Sequence, residues 1–305
     1  MALLASIDEG NTSFQAIPII DLAMISTEDP DSKKALADKV RTACANVGFF
    51  YVQIENKKSQ NFKGYSPLLS GNNDPDNDGD LQEGFEFGME AVEPQPQGQE
   101  DSSDDGVMAG ANVWPSQLPE FRRAALQYYH AAVNLGKKMF PLFALALELP
   151  ENFFEDKIRH SAALMRMLYY PPQTGPVDGR VLGIGAHTDW ECFTILWQEP
   201  GIQALQVLNS NKEWIDAPPV PGNVLGVFLG DQLARWTNDV FKSTVHRAIN
   251  RSGARRYSIP LFFGTDYGVK LEPIPSCVST ERPMKYEVIT AGEYVKAKLK
   301  ATYGH

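Results

Sequence analysis

The sequence predicts a mainly β protein with flanking helices, its core a barrel or a double-sheet jelly roll. Three observations carry this. From Ala162 onward, short apolar and β-branched runs alternate with Pro, Gly, Asn and Asp, at Leu164–Tyr170, Phe193–Gln198, Gln203–Leu208, Val224–Gly230, Ser243–Asn250 and Arg256–Gly264. Helical periodicity is confined to three segments outside those runs. There is no internal repeat and no run of 18 apolar residues, so neither a solenoid nor a membrane span is expected.

Taken in order, Ile17–Asp21 reads as a short strand ending in a cap. Lys33–Val47 has apolar residues at 36, 40, 44 and 47 and reads as a helix stopped by Gly48, with a strand at Phe49–Val52. Gly71–Gly110 is rich in Gly, Pro, Asn, Asp and Ser and reads as a long exposed excursion, with one aromatic stretch at Glu83–Phe87. Leu118–Leu149 carries a packing stripe of Leu126, Tyr129, Val133, Met139, Phe143 and Leu147, which Pro141 is expected to kink or divide. A last helix is expected over Thr290–Ala301. This divides the chain into a mixed α/β region, 1–160, packing on a jelly-roll domain, 161–305, as one compact unit.

Composition narrows the function. Of the 305 residues, 43% are hydrophobic and 22% charged, as in ordinary globular proteins. The net charge of −10 is local, because Asp74–Asp105 holds twelve carboxylates and no Lys or Arg; outside it 26 acids face 28 bases. No strongly basic patch exists, so nucleic acid is not an expected partner. Nor is a membrane or an obligate protein partner expected. Three widely spaced cysteines, Cys44, Cys192 and Cys277, argue for small buried side chains in a reducing, cytoplasmic setting. The N-terminus has no basic start and the C-terminus no address tag.

Two of the five histidines stand in an informative pattern. His187-Thr-Asp189 puts a His and an Asp on one face of an extended segment, and His246 follows in Phe241–Ala248. Two imidazoles and one carboxylate are the facial-triad donor set of non-haem Fe(II), which leaves coordination positions open for a co-substrate and O2. His-x-Asp alone is common and often only a capped turn. A closed zinc site would want more His or Cys than the chain offers nearby. No Ser-His-Asp or Cys-His arrangement is evident.

A second constellation suits an anion. In a strand, Arg256, Ser258, Pro260 and Phe262 share a face, and a guanidinium beside a hydroxyl matches a carboxylate. An Arg buried in a barrel needs an anion, and no acid on its own strand supplies one. Arg255 points the other way and reads as an exposed turn residue. In Leu164–Tyr170, Arg166 and Tyr170 share a face with Leu164 and Leu168. Periodicity leaves open whether that face or the Met165–Met167–Tyr169 face is interior.

Four blocks then resemble a known family: His187-Thr-Asp189, Gly230–Asn238, Phe241–Arg247 and Arg256-Tyr-Ser258. Ile17–Asp21, Val47–Phe50, Gly79–Phe85 and Asn112–Pro115 match as well. Order and spacing are similar to those of the 2-oxoglutarate- and Fe(II)-dependent dioxygenases of the isopenicillin N synthase-like group, over nearly the whole chain. The resemblance implies a double-stranded β-helix (jelly-roll, cupin-like) core with iron on His187, Asp189 and His246. It implies 2-oxoglutarate as co-substrate, its distal carboxylate held by Arg256 and Ser258 with a hydroxyl from Tyr170. Two departures stand out. The family's usual His-Gly and long helix after the Phe49–Val52 strand are missing, and Leu168 replaces a frequent Asn.

The implied reaction is oxidation of a small organic molecule by O2, with 2-oxoglutarate decarboxylated to succinate; hydroxylation, desaturation or ring formation follows. The resemblance is closest to microbial, especially fungal, tailoring enzymes of secondary metabolism. Phe85, Phe87, Arg166, Trp190, Phe193 and Phe262 are candidates for the substrate wall, although core packing competes as a role for each aromatic. Arg166 favours a carboxylate or phenolate. Two other functions share these residues. One is an oxidase that uses no 2-oxoglutarate, as isopenicillin N synthase itself does, with the Arg-x-Ser pair on the substrate's carboxylate. The other is a non-catalytic small-molecule binding protein on the same scaffold.

Overall fold

A computed structural model of the chain describes residues 18–21, 29–53, 64–66, 68–69, 79–92, 112, 114–115, 117–173, 182–222 and 224–303. Most of the acidic excursion and His305 lie outside them.

The N-terminal part supplies β1 (Ile19–Asp21), α1 (Pro30–Asn46), β2 (Phe49–Gln53), β3 (Tyr65–Ser66), β4 (Glu83–Phe87) and α2 (Pro119–Ala146). The rest supplies β5 (Ala163–Tyr170), β6 (Ile184–His187), β7 (Phe193–Gln198), β8 (Leu205–Leu208), β9 (Trp214–Asp216) and β10 (Val224–Leu229). After these come α3 (Asp231–Trp236), β11 (His246–Ala248), β12 (Arg256–Phe263) and α4 (Ala291–Tyr303).

α1 starts three residues before its periodicity, because Asp29 caps it by accepting from the Ser32 amide and Pro30 fits its first turn. Gly48 closes it at φ +71°; a Cβ there would lie 2.3 Å from the Lys242 carbonyl oxygen, so the position needs glycine. α2 runs unbroken through Pro141. Met139, Phe140, Leu142 and Phe143 around the proline are all buried, and their packing offsets the hydrogen bond that proline forfeits. Arg41 of α1 reaches across to donate through Nε to the Ala146 carbonyl at the end of α2, at 2.7 Å.

The strands form two sheets. The larger has the order β1-β2-β10-β7-β12-β5-β4-β3, antiparallel except for β1 with β2; the smaller has the order β6-β11-β8-β9. The N-terminal region is therefore not a layer laid on a finished core: its strands extend both flanks of the larger sheet. β6, β9 and α3 are too short to show periodicity and were not anticipated from the sequence.

Register separates the two faces of the larger sheet. Phe193 and Phe263 stack at 5.3 Å and meet Phe140 and Phe143 of α2 edge-on. Phe87 packs on Tyr129 of α2, 5.0 Å between centroids. Gly136 of α2 sits against Phe263, where a Cβ would lie 2.4 Å from the ring. The opposite face looks toward the smaller sheet. There Leu168 and Tyr170 of β5 join Ala248 of β11, and Leu196 and Phe228 join Leu205 and Val207. Each of these Leu, Val and Phe side chains contributes about 1.5–3 kcal/mol on burial.

Candidate functional site

The space between the sheets holds the polar residues that face each other. His246 opens β11 opposite His187, which ends β6, and their rings lie 4.4 Å apart. Asp189 is two residues beyond His187, and one ligand atom from each of the three lies within 4.8 Å of the others. Backbone carbonyls fix both rings: His187 Nδ1 bonds Gly185 O at 2.7 Å and His246 Nδ1 bonds Thr244 O at 3.1 Å. The two Nε2 atoms consequently point at one oxygen, Asp189 Oδ1, each from 3.7 Å. The Thr194 hydroxyl donates to the other oxygen, Oδ2. Burial, with the neighbouring His187 adding to it, pushes His246 down to about 4, so its ring is neutral at neutral pH, as a metal ligand requires.

Asp231 stands behind the triad. Its amide donates to the Asp189 carbonyl at 2.8 Å, and its carboxylate accepts from Thr188, Ser243 and Tyr294 and pairs with Lys298 at 2.9 Å. The segment bearing two of the three triad residues is thereby tied to α3 and α4.

Arg256 is 1% exposed, at the far end of the same interior space. Nη2 donates to Gln198 Oε1 at 3.2 Å, and the guanidinium lies 4.9 Å from the centre of the Tyr170 ring. Nε and Nη1 are buried with no hydrogen-bond partner among the described residues. A buried cation with two unused donors calls for an anion. The register puts Ser258, buried, one inward position further along β12.

β5 turns its Arg166–Tyr170 face inward, which settles the ambiguity of the sequence. Arg166 does not wait unpaired: its Nε lies 2.7 Å from Glu86 Oε1, its cross-strand neighbour on β4. Phe262, opposite Thr194 and Leu164 on the same face, is half-buried on the triad side. Trp190, next to Asp189, is half-buried too. Phe85, Phe87 and Phe193 correct the expectation. They lie on the outer face and pack into the core under α2, because each is one residue out of step with the inward set. Arg255 faces outward and pairs with Glu199.

Thr194, Gln198 and Glu86 escaped the sequence reading. The first two had a signal: they are the polar residues of an otherwise apolar strand, four apart on one face. The three cysteines are free and buried. Among the described residues no helix is long and apolar enough to cross a membrane.

Comparison with known proteins agrees with this geometry. Residues 161–265 match the 2OG-Fe(II) oxygenase superfamily, and residues 17–56 match the family described as non-haem dioxygenase in morphine synthesis N-terminal. The 2-oxoglutarate-Fe(II) type oxidoreductase hxnY of Emericella nidulans is 32% identical, over 95% of this chain and 91% of that protein. The 2-oxoglutarate-dependent dioxygenase traH of Penicillium crustosum is 32% identical, over 94% of each. Among solved structures, a full-length Neurospora crassa protein in complex with alpha-KG and thymine superposes with a TM-score of 0.80 at 24% identity, covering 96% of this chain and 98% of that one. With a jelly-roll core, a His-Asp-His triad and relatives of this kind along almost its entire length, the chain belongs to the 2OG-Fe(II) oxygenase superfamily.

Proposed function

We propose that His187 Nε2, Asp189 Oδ1 and His246 Nε2 hold the iron and that Arg256 holds the distal carboxylate of 2-oxoglutarate, with Ser258 and Tyr170 beside it. The observation that carries this is the pair of unpartnered nitrogens on a guanidinium that is 1% exposed. The donor set fits Fe(II): two neutral imidazoles and one carboxylate oxygen, with the remaining directions open. Bound iron, with 2-oxoglutarate and O2, supplies an oxidant able to break a substrate C–H bond, and releases succinate and CO2.

The chain's own residues do the rest. Gly185 O and Thr244 O keep the two Nε2 atoms turned toward Asp189. Thr194 keeps one carboxylate oxygen occupied and the other available. Leu168, Leu196 and Phe228 line the interior with apolar surface and exclude water.

The substrate is a small organic molecule, held between Phe262, Trp190 and Arg166. Since Glu86 already balances Arg166, the pair presents one acceptor and one set of donors. It suits a ligand offering both an N–H or O–H and a C=O group better than a bare carboxylate. The Neurospora relative was solved with such a molecule, thymine. A reaction in secondary metabolism is part of this reading, supported by the fungal source of several 2-oxoglutarate-dependent relatives, and three buried thiols suit a cytoplasmic setting.

The test is succinate release by the Fe(II)-loaded protein with 2-oxoglutarate and O2 over a panel of lactams, N-heterocycles, phenols and carboxylates. Succinate should form with the wild type, not with His246→Ala, and should rise with one class of the panel. Uptake of O2 without consumption of 2-oxoglutarate would replace this reading with the oxidase one. Binding of panel members without any turnover would favour a binding protein.

A further inference from the structure

β7 carries only two polar side chains on its inward face, one near each end: Thr194 and Gln198, 2% and 6% exposed, with Leu196 between them. Each makes one directed contact. Thr194 donates to the triad carboxylate, and Gln198 accepts from the Arg256 guanidinium. The amide of Gln198 is itself fixed, because its Nε2 donates to the Ala217 carbonyl at 3.3 Å, so Oε1 faces Arg256. From the other side the Tyr170 ring lies against the guanidinium. Arg256 is thus held in one orientation by a neutral acceptor and an aromatic face.

That neutrality matters. A carboxylate at position 198 would hold Arg256 as well but would also neutralise it, and the site would have little charge left for a ligand. An amide orients the cation and leaves its charge uncompensated. The two contacts are made four positions apart on the strand, a span of about 13 Å. One rigid strand therefore sets both the metal-facing oxygen and the anion-facing guanidinium.

We propose that Gln198 is a positioning residue for the co-substrate: it aims Arg256 and, with Thr194 on the same strand, sets the keto-acid length that the site accepts. This rests on the reading that Arg256 receives the distal carboxylate. Gln198 acts only through Arg256 and touches no reacting atom.

The experiment is an anaerobic titration of the Fe(II)-loaded protein with keto acids. It follows the visible charge-transfer absorption that a chelated keto acid produces, which needs no turnover. Gln198→Met keeps the side-chain volume and removes the acceptor; Gln198→Glu keeps the shape and adds the charge. Circular dichroism and Fe(II) affinity verify that both variants are folded and that the triad is intact. Gln198→Met should bind 2-oxoglutarate roughly ten-fold more weakly, as expected for losing one hydrogen bond to a charged group. Gln198→Glu should bind it more weakly still, with Fe(II) affinity and the position of the absorption band unchanged. The preference for 2-oxoglutarate over oxaloacetate and 2-oxoadipate should narrow in Gln198→Met, because a guanidinium freed from its acceptor can follow a shorter or longer acid.

Wild-type affinity for 2-oxoglutarate in Gln198→Glu would overturn the proposal. An Arg256→Met arm separates the two levels of inference. If Arg256→Met binds 2-oxoglutarate normally, the reading of Arg256 fails and this proposal falls with it. If Arg256→Met loses binding while both Gln198 variants keep it, only the role of Gln198 is wrong. Should Gln198→Met not fold, the ranking of Gln198→Glu against wild type decides alone.

Discussion

Thr194 and Asp189 are joined by a hydrogen bond that occupies one carboxylate oxygen, while the other stands 3.7 Å from the Nε2 atoms of both triad histidines. The threonine thereby decides which oxygen faces the metal. Thr194→Val removes the hydroxyl at nearly constant shape, and Fe(II) affinity should fall by about 10- to 100-fold. Thr194→Ser should stay close to wild type. Anaerobic Fe(II) titration of the three proteins checks this, and equal affinity in Thr194→Val would remove Thr194 from the iron site.

The Arg166–Glu86 pair predicts a separation of substrate from co-substrate. Glu86→Gln leaves Arg166 without its counter-charge but touches neither the triad nor Arg256. KM for a neutral substrate should rise while 2-oxoglutarate affinity holds, and carboxylate-bearing panel members should gain. Steady-state kinetics beside the keto-acid titration distinguish these outcomes. A parallel loss of both affinities would mean that the pair only supports the fold.

Asp231 predicts a pH dependence of stability. Burial alone would raise its carboxyl, but Tyr294, Lys298 and Ser243 outweigh that and hold it below its ordinary value of 3.8. A folded value below the unfolded one gives stability that is present above the ordinary range and lost as pH falls through the folded value. At neutral pH Asp231→Asn should therefore be less stable, by about 1.5–3 kcal/mol for a hydrogen-bonded charge. The gap should shrink below about pH 4. Thermal unfolding of both proteins from pH 7 to pH 3 tests the convergence; a gap of constant size would contradict it.

Gly136 sets helix propensity against packing. In an exposed helix, Gly→Ala stabilises by about 1 kcal/mol. Here the new methyl would meet the ring of Phe263, which Phe193 already stacks against, so the ring has little room to yield. Gly136→Ala should cost about 1–3 kcal/mol in urea unfolding, a sign opposite to that of propensity.

The regular elements were legible because β5, β7 and β12 are short apolar, β-branched runs bounded by turn residues, while α1 and α2 carry a helical spacing. His187, Asp189, His246, Arg256 and Ser258 were legible as residue types of distinct chemistry at informative spacings. Phe85 and Phe193 were misread for a physical reason. Both faces of the larger sheet are buried, one under α2 and one against the smaller sheet, so an aromatic in a strand does not reveal which side it serves. Glu86 was hidden because it lies in the segment that reads as an exposed excursion, and only strand pairing brings it beside Arg166 of β5. Pro141 was expected to kink or divide α2; the helix is not divided, and tertiary packing outweighs that part of the local rule.

The flanking of the larger sheet by early strands has a consequence for how the protein is made. Gln53 of β2 pairs with Val224 of β10, roughly 170 residues later, and β4 pairs with β5 across the whole of α2. On the ribosome β2 emerges long before its partner exists. A fragment cut at residues 161–265 would leave the outer edges of β10 and β5 unpaired and prone to self-association. Closure of the larger sheet therefore needs strands from both ends of the sequence, which makes it a late step of synthesis.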